Sequence, residues 1–295
     1  MAALGLNFVR IVNQLKSSRK FVSDKHVKVF SPGGFPYEAF NGKAQVNPWN
    51  IVSMVEFSRN ASFNKFSSND KCFLEFDKIY RNYLVFIASQ STKVSPEFYD
   101  YSVPKGPLEI HVELDNVGKT SFGLKTSIFH EKIDTPLCEN FVQSVFVDLA
   151  KRKPSPPPDW WVEKYMQGLR DKPSLRLPRH VVPQEGILWN YQMKVAASDM
   201  DNYWHTNWSQ YIKFSYNAFI DFAISKHGSG NIARAFRKSK EFSVLYLQES
   251  NLNDTLDIQL WRDGDNSNLF KFQFLKKSDV ICESQIELYP HDPDE

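Results

Sequence analysis

Apolar residues alternate with polar ones over short stretches and recur at helical spacing over two long ones. Trp189, Tyr191, Met193 and Val195 alternate, which predicts a strand over 188–196. Tyr211, Phe214, Ala218, Phe222 and Ala223 share one face of a 3.6-residue period. A long helix over 207–226 follows from that spacing, with Gly228 and Gly230 ending it. Strand patterns come next over 242–249, 255–262, 268–276 and 279–289, and Asp263-Gly264-Asp265-Asn266 reads as a hairpin turn. The first half has the same order: a strand near 38–46, a helix from about 49 to 64, and strands at 107–115, 120–131 and 137–149. Between them, 65–104 is longer and less regular than its counterpart.

The two halves also repeat in residue identity. Glu56-Phe57-Ser58-Arg59-Asn60-Ala61 matches Lys213-Phe214-Ser215-Tyr216-Asn217-Ala218, which sets Asn50 opposite Asn207. Leu108-Glu109-Ile110-His111-Val112 matches Leu256-Asp257-Ile258-Gln259-Leu260, and Leu137-Cys138-Glu139 matches Ile281-Cys282-Glu283. Each half is thus a strand, a long helix and an antiparallel meander. A sheet must cover its apolar face, and the helix is the element available to do so. The expected class is α+β: two long helices, each wrapped by an antiparallel sheet. The run Lys151-Arg152-Lys153-Pro154-Ser155-Pro156-Pro157-Pro158 cannot be a regular helix or a central strand. The expected division is an N-terminal segment 1–34, a first unit 35–150, a Pro-rich linker 151–186 and a second unit 187–295. A short helix over 159–170, with Trp160 and Trp161, is expected to anchor the linker.

Composition narrows the class. Hydrophobic residues at 42% and charged residues at 24% of 295 exclude a disordered or fibrous chain. A formal net charge of +2 supplies no global field toward nucleic acid or anionic membrane. Cys72, Cys138 and Cys282 are widely spaced, which argues against a disulfide framework or a structural zinc and suits a reducing compartment. No apolar run approaches the roughly 18 residues of a membrane span. From Met1 to Ser23 there is no acidic residue. Arg10, Lys16, Arg19 and Lys20 are basic there, and Leu4, Phe8, Ile11, Val12 and Leu15 share a helical face. This composition predicts a mitochondrial transit peptide with a mature start near 22–25, a cytoplasmic protein being the alternative.

The densest polar constellation lies where the second half's strand gives way to its helix, from Ser198 to Tyr211. Asp199, Asp201, His205 and Asn207 are interleaved there with Tyr203, Trp204 and Trp208. A carboxylate among aromatics is partly desolvated, which makes it a better base near neutral pH. The start of the helix points free backbone N–H groups at the same space, where they would polarise a carbonyl oxygen.

The pattern Asp199-x-Asp201-x-x-x-His205-x-Asn207-x-x-x-Tyr211 resembles that of hotdog-fold thioesterases of the 4-hydroxybenzoyl-CoA and plant acyl-carrier-protein type. Their motif has the form Asp-x-Asp-x-x-x-His-x-Asn-Asn-x-x-Tyr, and Trp208 stands here in place of the second Asn. The resemblance implies a tandem, or double, hotdog that mimics the usual homodimer. It implies hydrolysis of an acyl thioester, acyl-CoA first among candidates, with no cofactor and no metal. Asp201 would then be general base or nucleophile, His205 would orient the substrate or water and shuttle a proton, and Asn207 would hold the thioester oxygen. Asp199 would brace the turn, with Tyr211 in support. The first copy has Gly42, Ala44 and Pro48 opposite these groups, so one site per chain is expected, with Glu56 as a supporting candidate from the first helix. Arg234, Arg237, Lys238 and Lys240 form a basic run suited to CoA phosphates. A homodimer of tandems is the expected assembly. Two other classes stay open: a non-catalytic acyl-binding scaffold, and a hotdog hydratase, whose Asp-x-Asn-Pro-x-His spacing this chain does not match.

Overall fold

The computed structural model describes residues 14–66, 70–169, 172–183, 185–201, 204–228, 232–264 and 266–290. Its elements in chain order begin with strands β1 (Ser18–Ser23) and β2 (His26–Ser31), helices α1 (Pro48–Phe63) and α2 (Phe76–Ile79), and strands β3 (Tyr83–Val94), β4 (Leu108–Val117), β5 (Ser121–His130) and β6 (Cys138–Asp148). Then come helix α3 (Asp159–Tyr165), strand β7 (Ile187–Lys194), helices α4 (Gln210–His227) and α5 (Ile232–Ala235), and strands β8 (Ser239–Tyr246), β9 (Thr255–Arg262), β10 (Leu269–Lys276) and β11 (Asp279–Leu288). No helix among the described residues is long and apolar enough to cross a membrane.

Two compact units interleave along the sequence. One comprises Met1–Pro36, Ser53–Gln90 and Ser95–Arg176; the other comprises Tyr37–Val52, Ser91–Val94 and Leu177–Glu295. In the first unit the strand order is β1-β2-β4-β5-β6-β3. Val27 and Val29 of β2 are fully buried and pair with Val112 and Ile110 of β4. Phe63, Phe73 and Phe76 join Leu114, Phe122, Leu124 and Phe146 in one apolar core. The strand expected near 38–46 is instead a 3-10 turn (Tyr37–Ala39) and an isolated bridge from Phe40 to Val46. The first unit's leading strands are β1 and β2, upstream of it. The alternation of Val27 and Val29 with His26 and Lys28 carries β2, and its basic flank masks it in the sequence. The stretch 65–104 holds the 12-residue β3, whose apolar run Leu84–Ala88 followed by buried Ser89–Thr92 lacks the period of two.

Residues 1–13 of the basic N-terminal stretch lie outside the described residues. From Ser18 onward that stretch is structural. The Arg19 guanidinium donates to the carbonyls of Ala61, Ser62 (2.9 Å) and Asn64 (2.7 Å) at the end of α1, and to the Asp70 carboxylate at 2.6 Å. A cation on otherwise orphaned C-terminal carbonyls satisfies them and complements the helix dipole.

The linker is held by specific contacts on the first unit. Trp161 of α3 is fully buried, donates from Nε1 to Leu74 O at 2.9 Å and packs on Phe122 and Phe146. Trp160 is 38% exposed. Lys164 donates to Glu75 at 2.8 Å, and Lys78 pairs with the same carboxylate. Further on, Leu175 accepts from Ser89 Oγ and donates to Gln143 Oε1. The cavity of about 440 Å³ beside this segment is lined by Asn116, Gln143 and Lys172, and Gln143 and Lys172 are engaged, with Leu175 and Asp115 respectively.

Burial works against the Glu75 carboxylate, but the hydrogen bonds from Lys164 and Lys78 outweigh it and lower its pKa from 4.5 to about 2. A depressed folded-state pKa gives stability that is present above 4.5 and lost as pH falls toward 2. The difference in melting temperature between the wild type and Glu75→Gln is therefore expected to be full at neutral pH and to shrink through that window. A difference that stays constant into acid would mean the two lysines do not bind the ionised carboxylate.

In the second unit the order is β8-β11-β10-β9-β7. One face of α4 meets this sheet at helical intervals. Tyr211 packs on Phe274, Ser215 Oγ bonds Ser284 Oγ at 2.7 Å, Phe219 packs on Phe270, and Phe222 packs on Trp189. Residues of β3 add to this unit: Ser91 Oγ donates to Glu241, and Val94 O accepts from Tyr289 OH. The buried Glu283 accepts from Arg179 Nε (3.0 Å) and His180 N (2.8 Å), which fixes the end of the linker.

Candidate active site

The loop between β7 and α4 is set by backbone bonds. Asn207 N donates to Asp199 O (2.8 Å), Asp201 N to His205 O (2.8 Å) and Trp204 N to Asp201 O (3.1 Å), while Met200 bridges Thr206. His205 N returns a longer bond to Asp201 Oδ1 at 3.3 Å. The base candidate and the histidine thus share one closed turn. Trp204 at its tip has φ of 64°, a left-handed conformation that costs an L-residue about 1–2 kcal/mol. It is 80% exposed, so it does not jacket the Asp201 carboxylate as the sequence suggested. Asn202 and Tyr203 lie outside the described residues.

The other motif residues divide by environment. Asp199 is 3% exposed; its carboxylate accepts from Ala196 N (2.9 Å) and Lys213 Nζ (3.0 Å), which ties the turn to α4. Asn207 Oδ1 accepts from Ser209 N (2.8 Å) and Ser209 Oγ (2.7 Å), so this amide oxygen shapes the entry to the helix. The helix proper starts at Gln210, after the Asn207 expected from the pattern. Tyr211 is buried, and that burial pushes its phenol pKa well up.

One participant has no signal in the sequence. Glu249 Oε2 stands 3.2 Å from His205 Nδ1. After β8, the Leu247 and Gln248 amides both donate to Ile281 O at 3.0 Å. Two residues facing one is a bulge, and bulges bend the strand. The bend brings Glu249 and Ser250 against the motif loop, where Ser250 O accepts from Thr206 N at 2.9 Å. The linear sequence carries no spacing rule that joins such positions.

The loop before α1 repeats these bonds, in a register that differs from the one read off the sequence. Asn47 N donates to Ala39 O (2.8 Å), Asn41 N to Gln45 O (2.8 Å), and Phe40 bridges Val46. These bonds pair Ala39 with Asp199, Asn41 with Asp201, Gln45 with His205 and Asn47 with Asn207. Gly42, Ala44 and Pro48 are therefore not the counterparts of the motif, and Asn50 is not that of Asn207. Matching the helices alone slipped the loops by nearly one turn of helix. Pro48 is the first residue of α1, where a missing N–H costs nothing, and Asn50 lies inside the helix rather than capping it. Amides thus replace both the carboxylate and the imidazole, and Gln45 and Asn47 are 4% and 6% exposed.

The remaining candidates lie elsewhere. Glu56 is on α1, half-buried, in the unit that does not hold the motif. Arg237 Nη2 donates to Asn268 Oδ1 (2.8 Å) and Tyr289 O (2.7 Å), and Lys240 pairs with Glu287 at 2.9 Å. The Lys238 carbonyl accepts from Tyr289 N. Arg234, on the short α5, is exposed.

Antiparallel sheet packed on a long helix, with the polar loop at the strand-to-helix junction, defines a hotdog-type fold, and solved thioesterases share it over nearly the whole chain. In particular, the chain is similar to an acyl-ACP thioesterase from Bacteroides thetaiotaomicron VPI-5482, with a TM-score of 0.62 and 13% identity over 94% of this chain and 99% of that one. It is also similar to the 12:0-ACP thioesterase from Umbellularia californica, with a TM-score of 0.66 and 12% identity over 93% and 98%. At these identities the likeness is one of fold. No protein-family model matches the chain, and no curated protein matches it in sequence.

Proposed function

We propose that this protein hydrolyses an acyl thioester at the loop before α4, and that the two halves of its sequence are a tandem of hotdog copies. The observation that carries the reading is the closed turn of Asp201 and His205 with Glu249 3.2 Å from the imidazole. The Asp201 carboxylate accepts from the His205 backbone amide and Glu249 meets the imidazole, so one loop gathers groups suited to proton acceptance and proton return. With Asp201 as base, water adds to the thioester carbonyl carbon and its proton passes to the Asp201 carboxylate. The tetrahedral intermediate then expels the thiolate, which takes a proton from the His205 imidazolium and leaves the acid, and the proton on Asp201 passes back to the imidazole through water to restore both groups. Glu249 keeps the imidazole oriented for that delivery. Asn207 and the amides at the start of α4 are the donors for the carbonyl oxygen. The first copy, with Asn41 and Gln45 at the same places, has no group that titrates and is catalytically silent.

Acyl-CoA is the proposed carrier, with Arg234 available to a phosphate. The protein is proposed to act in mitochondria as a homodimer of tandems. Any removal of a leader must then stop before Ser18, since a start at 22–25 would delete most of β1 and the Arg19 contacts.

The test is thiol release by the full-length protein from a panel of acyl-CoA and acyl-carrier-protein thioesters of graded length. Hydrolysis of at least one series is expected, and Gln45→Leu in the first copy should leave its rate within about twofold. Tight binding with no hydrolysis of any thioester would instead make the protein an acyl-binding scaffold.

A further inference from the structure

Behind the His205–Glu249 pair lies a group of three hydroxyls. Ser250, Tyr211 and Thr206 are 0%, 3% and 7% exposed. Ser250 Oγ stands 2.6 Å from Thr206 Oγ1 and 2.9 Å from Tyr211 OH, and Ser250 O lies 3.0 Å from Thr206 Oγ1. Each hydroxyl has one proton to give. Only one arrangement satisfies all three contacts: Thr206 donates to Ser250 O, Ser250 to Thr206 Oγ1, and Tyr211 to Ser250 Oγ. The protons are therefore ordered, and every hydroxyl has a defined role. Buried hydroxyl groups left unpaired are costly, so this set resists sliding of one segment past the other.

The set adjoins both partners of the pair in sequence. Thr206 follows His205 directly, and Ser250 follows Glu249 directly. Glu249 has little else to hold it, being 58% exposed at its side chain, although its carbonyl accepts from Lys276 Nζ at 3.1 Å. A loosely packed carboxylate meets a partner reproducibly only if its backbone is fixed.

We infer that Ser250 is a positioning residue: through Thr206 and Tyr211 its hydroxyl locks the end of β8 to the motif loop and so holds Glu249 against His205. The role is indirect, since Ser250 is sealed from solvent and touches neither carboxylate nor imidazole in the contacts described. Tyr211, part of the sequence pattern without an assigned task, gains one as the donor that completes the lock. The inference adds a residue to the proposed site, and its test needs no substrate, so it stands or falls apart from the thioesterase reading.

The tautomer of His205 reads the lock directly. In neutral imidazole, the nitrogen that faces a carboxylate carries the proton. Long-range ¹H–¹⁵N correlation spectra of the full-length protein above about pH 8, where free imidazole is neutral, give the proton's position on the ring. The wild type is expected to show His205 protonated mainly at Nδ1. Glu249→Ala should shift the ring toward Nε2 protonation, and Ser250→Ala should shift it the same way. Ser250→Ala added to Glu249→Ala should change nothing more, because the lock acts only through Glu249. Thr206→Val, which removes hydroxyl bonds at constant volume, guards against a Ser250→Ala variant that fails to fold and should give the same shift. Wild-type tautomer in Ser250→Ala and Thr206→Val, or a further shift in the double variant, would overturn the inference. So would a tautomer that ignores Glu249→Ala.

Discussion

Replacing Asp201 by asparagine is expected to cut turnover about 10²–10⁴-fold, the range for loss of acid–base catalysis, with almost no change in melting temperature. The fold itself supplies the argument for the second half of that statement. In the matching loop before α1, Asn41 occupies the equivalent place, its backbone amide donates to Gln45 O at 2.8 Å, and its Oδ1 accepts from Gln45 N at 3.2 Å. The turn is thus already built once in this protein around an asparagine. Asn in place of Asp201 keeps an oxygen for His205 N and removes the ability to take a proton. Asp199→Asn should behave in the opposite way. It weakens the charged bond to Lys213 and should cost about 1–3 kcal/mol of stability, with a smaller effect on rate. Steady-state kinetics and urea denaturation on both variants check the pair of statements. Equal rate losses for the two would show that the roles of the carboxylates are wrongly divided.

The largest stability effect is expected at Trp161. Removing a fully buried tryptophan opens a cavity that the surrounding rings fill only in part, and Trp→Ala in a core costs about 3–5 kcal/mol. Leu74 O also loses its donor at 2.9 Å, at a point where the chain is already in the left-handed region, with φ of 54° at Leu74 and 52° at Glu75. Trp160→Ala is the internal control. It is 38% exposed, and Lys78 Nζ lies 5.4 Å from its ring centre, so its loss should stay below about 1 kcal/mol. Urea midpoints of the two variants separate the cases. Similar midpoints would mean that the linker helix adds little to the first unit.

Both predictions rest on residues visible in the sequence, though for different reasons. Trp160 and Trp161 stood out as a pair, but only burial shows that one of them carries the anchoring. The loop from Asp199 to Tyr211 stands out because a histidine, an amide and two carboxylates fall together at a strand-to-helix junction. That argument is chemical, so it needed no coordinates. Its aromatic jacket did not materialise at Trp204, because a left-handed turn at the loop tip aims that residue into solvent.

Elements with one buried face were legible. The pattern over 255–262 coincides with β9, and the helix expected over 49–64 is α1 within a residue at each end. In such elements every second residue, or every third and fourth, reports burial directly, and local periodicity is enough. The strand β3 escaped because its burial does not alternate. The register of the first copy's loop escaped because two loops can be matched only by their hydrogen bonds, and helix similarity is satisfied by several offsets. Glu249 and Ser250 escaped for a third reason. Ser250 meets Thr206 across 44 residues, through a bulge that exists only because β8 and β11 pair. By itself, then, the sequence determined the two long helices, most of the meander strands and the residue types of the motif loop, all of which follow from local spacing and chemistry. The tertiary structure decided which carboxylate reaches the histidine and which residues of the loop before α1 stand at the motif's places, because both depend on contacts between segments whose separation no local pattern records.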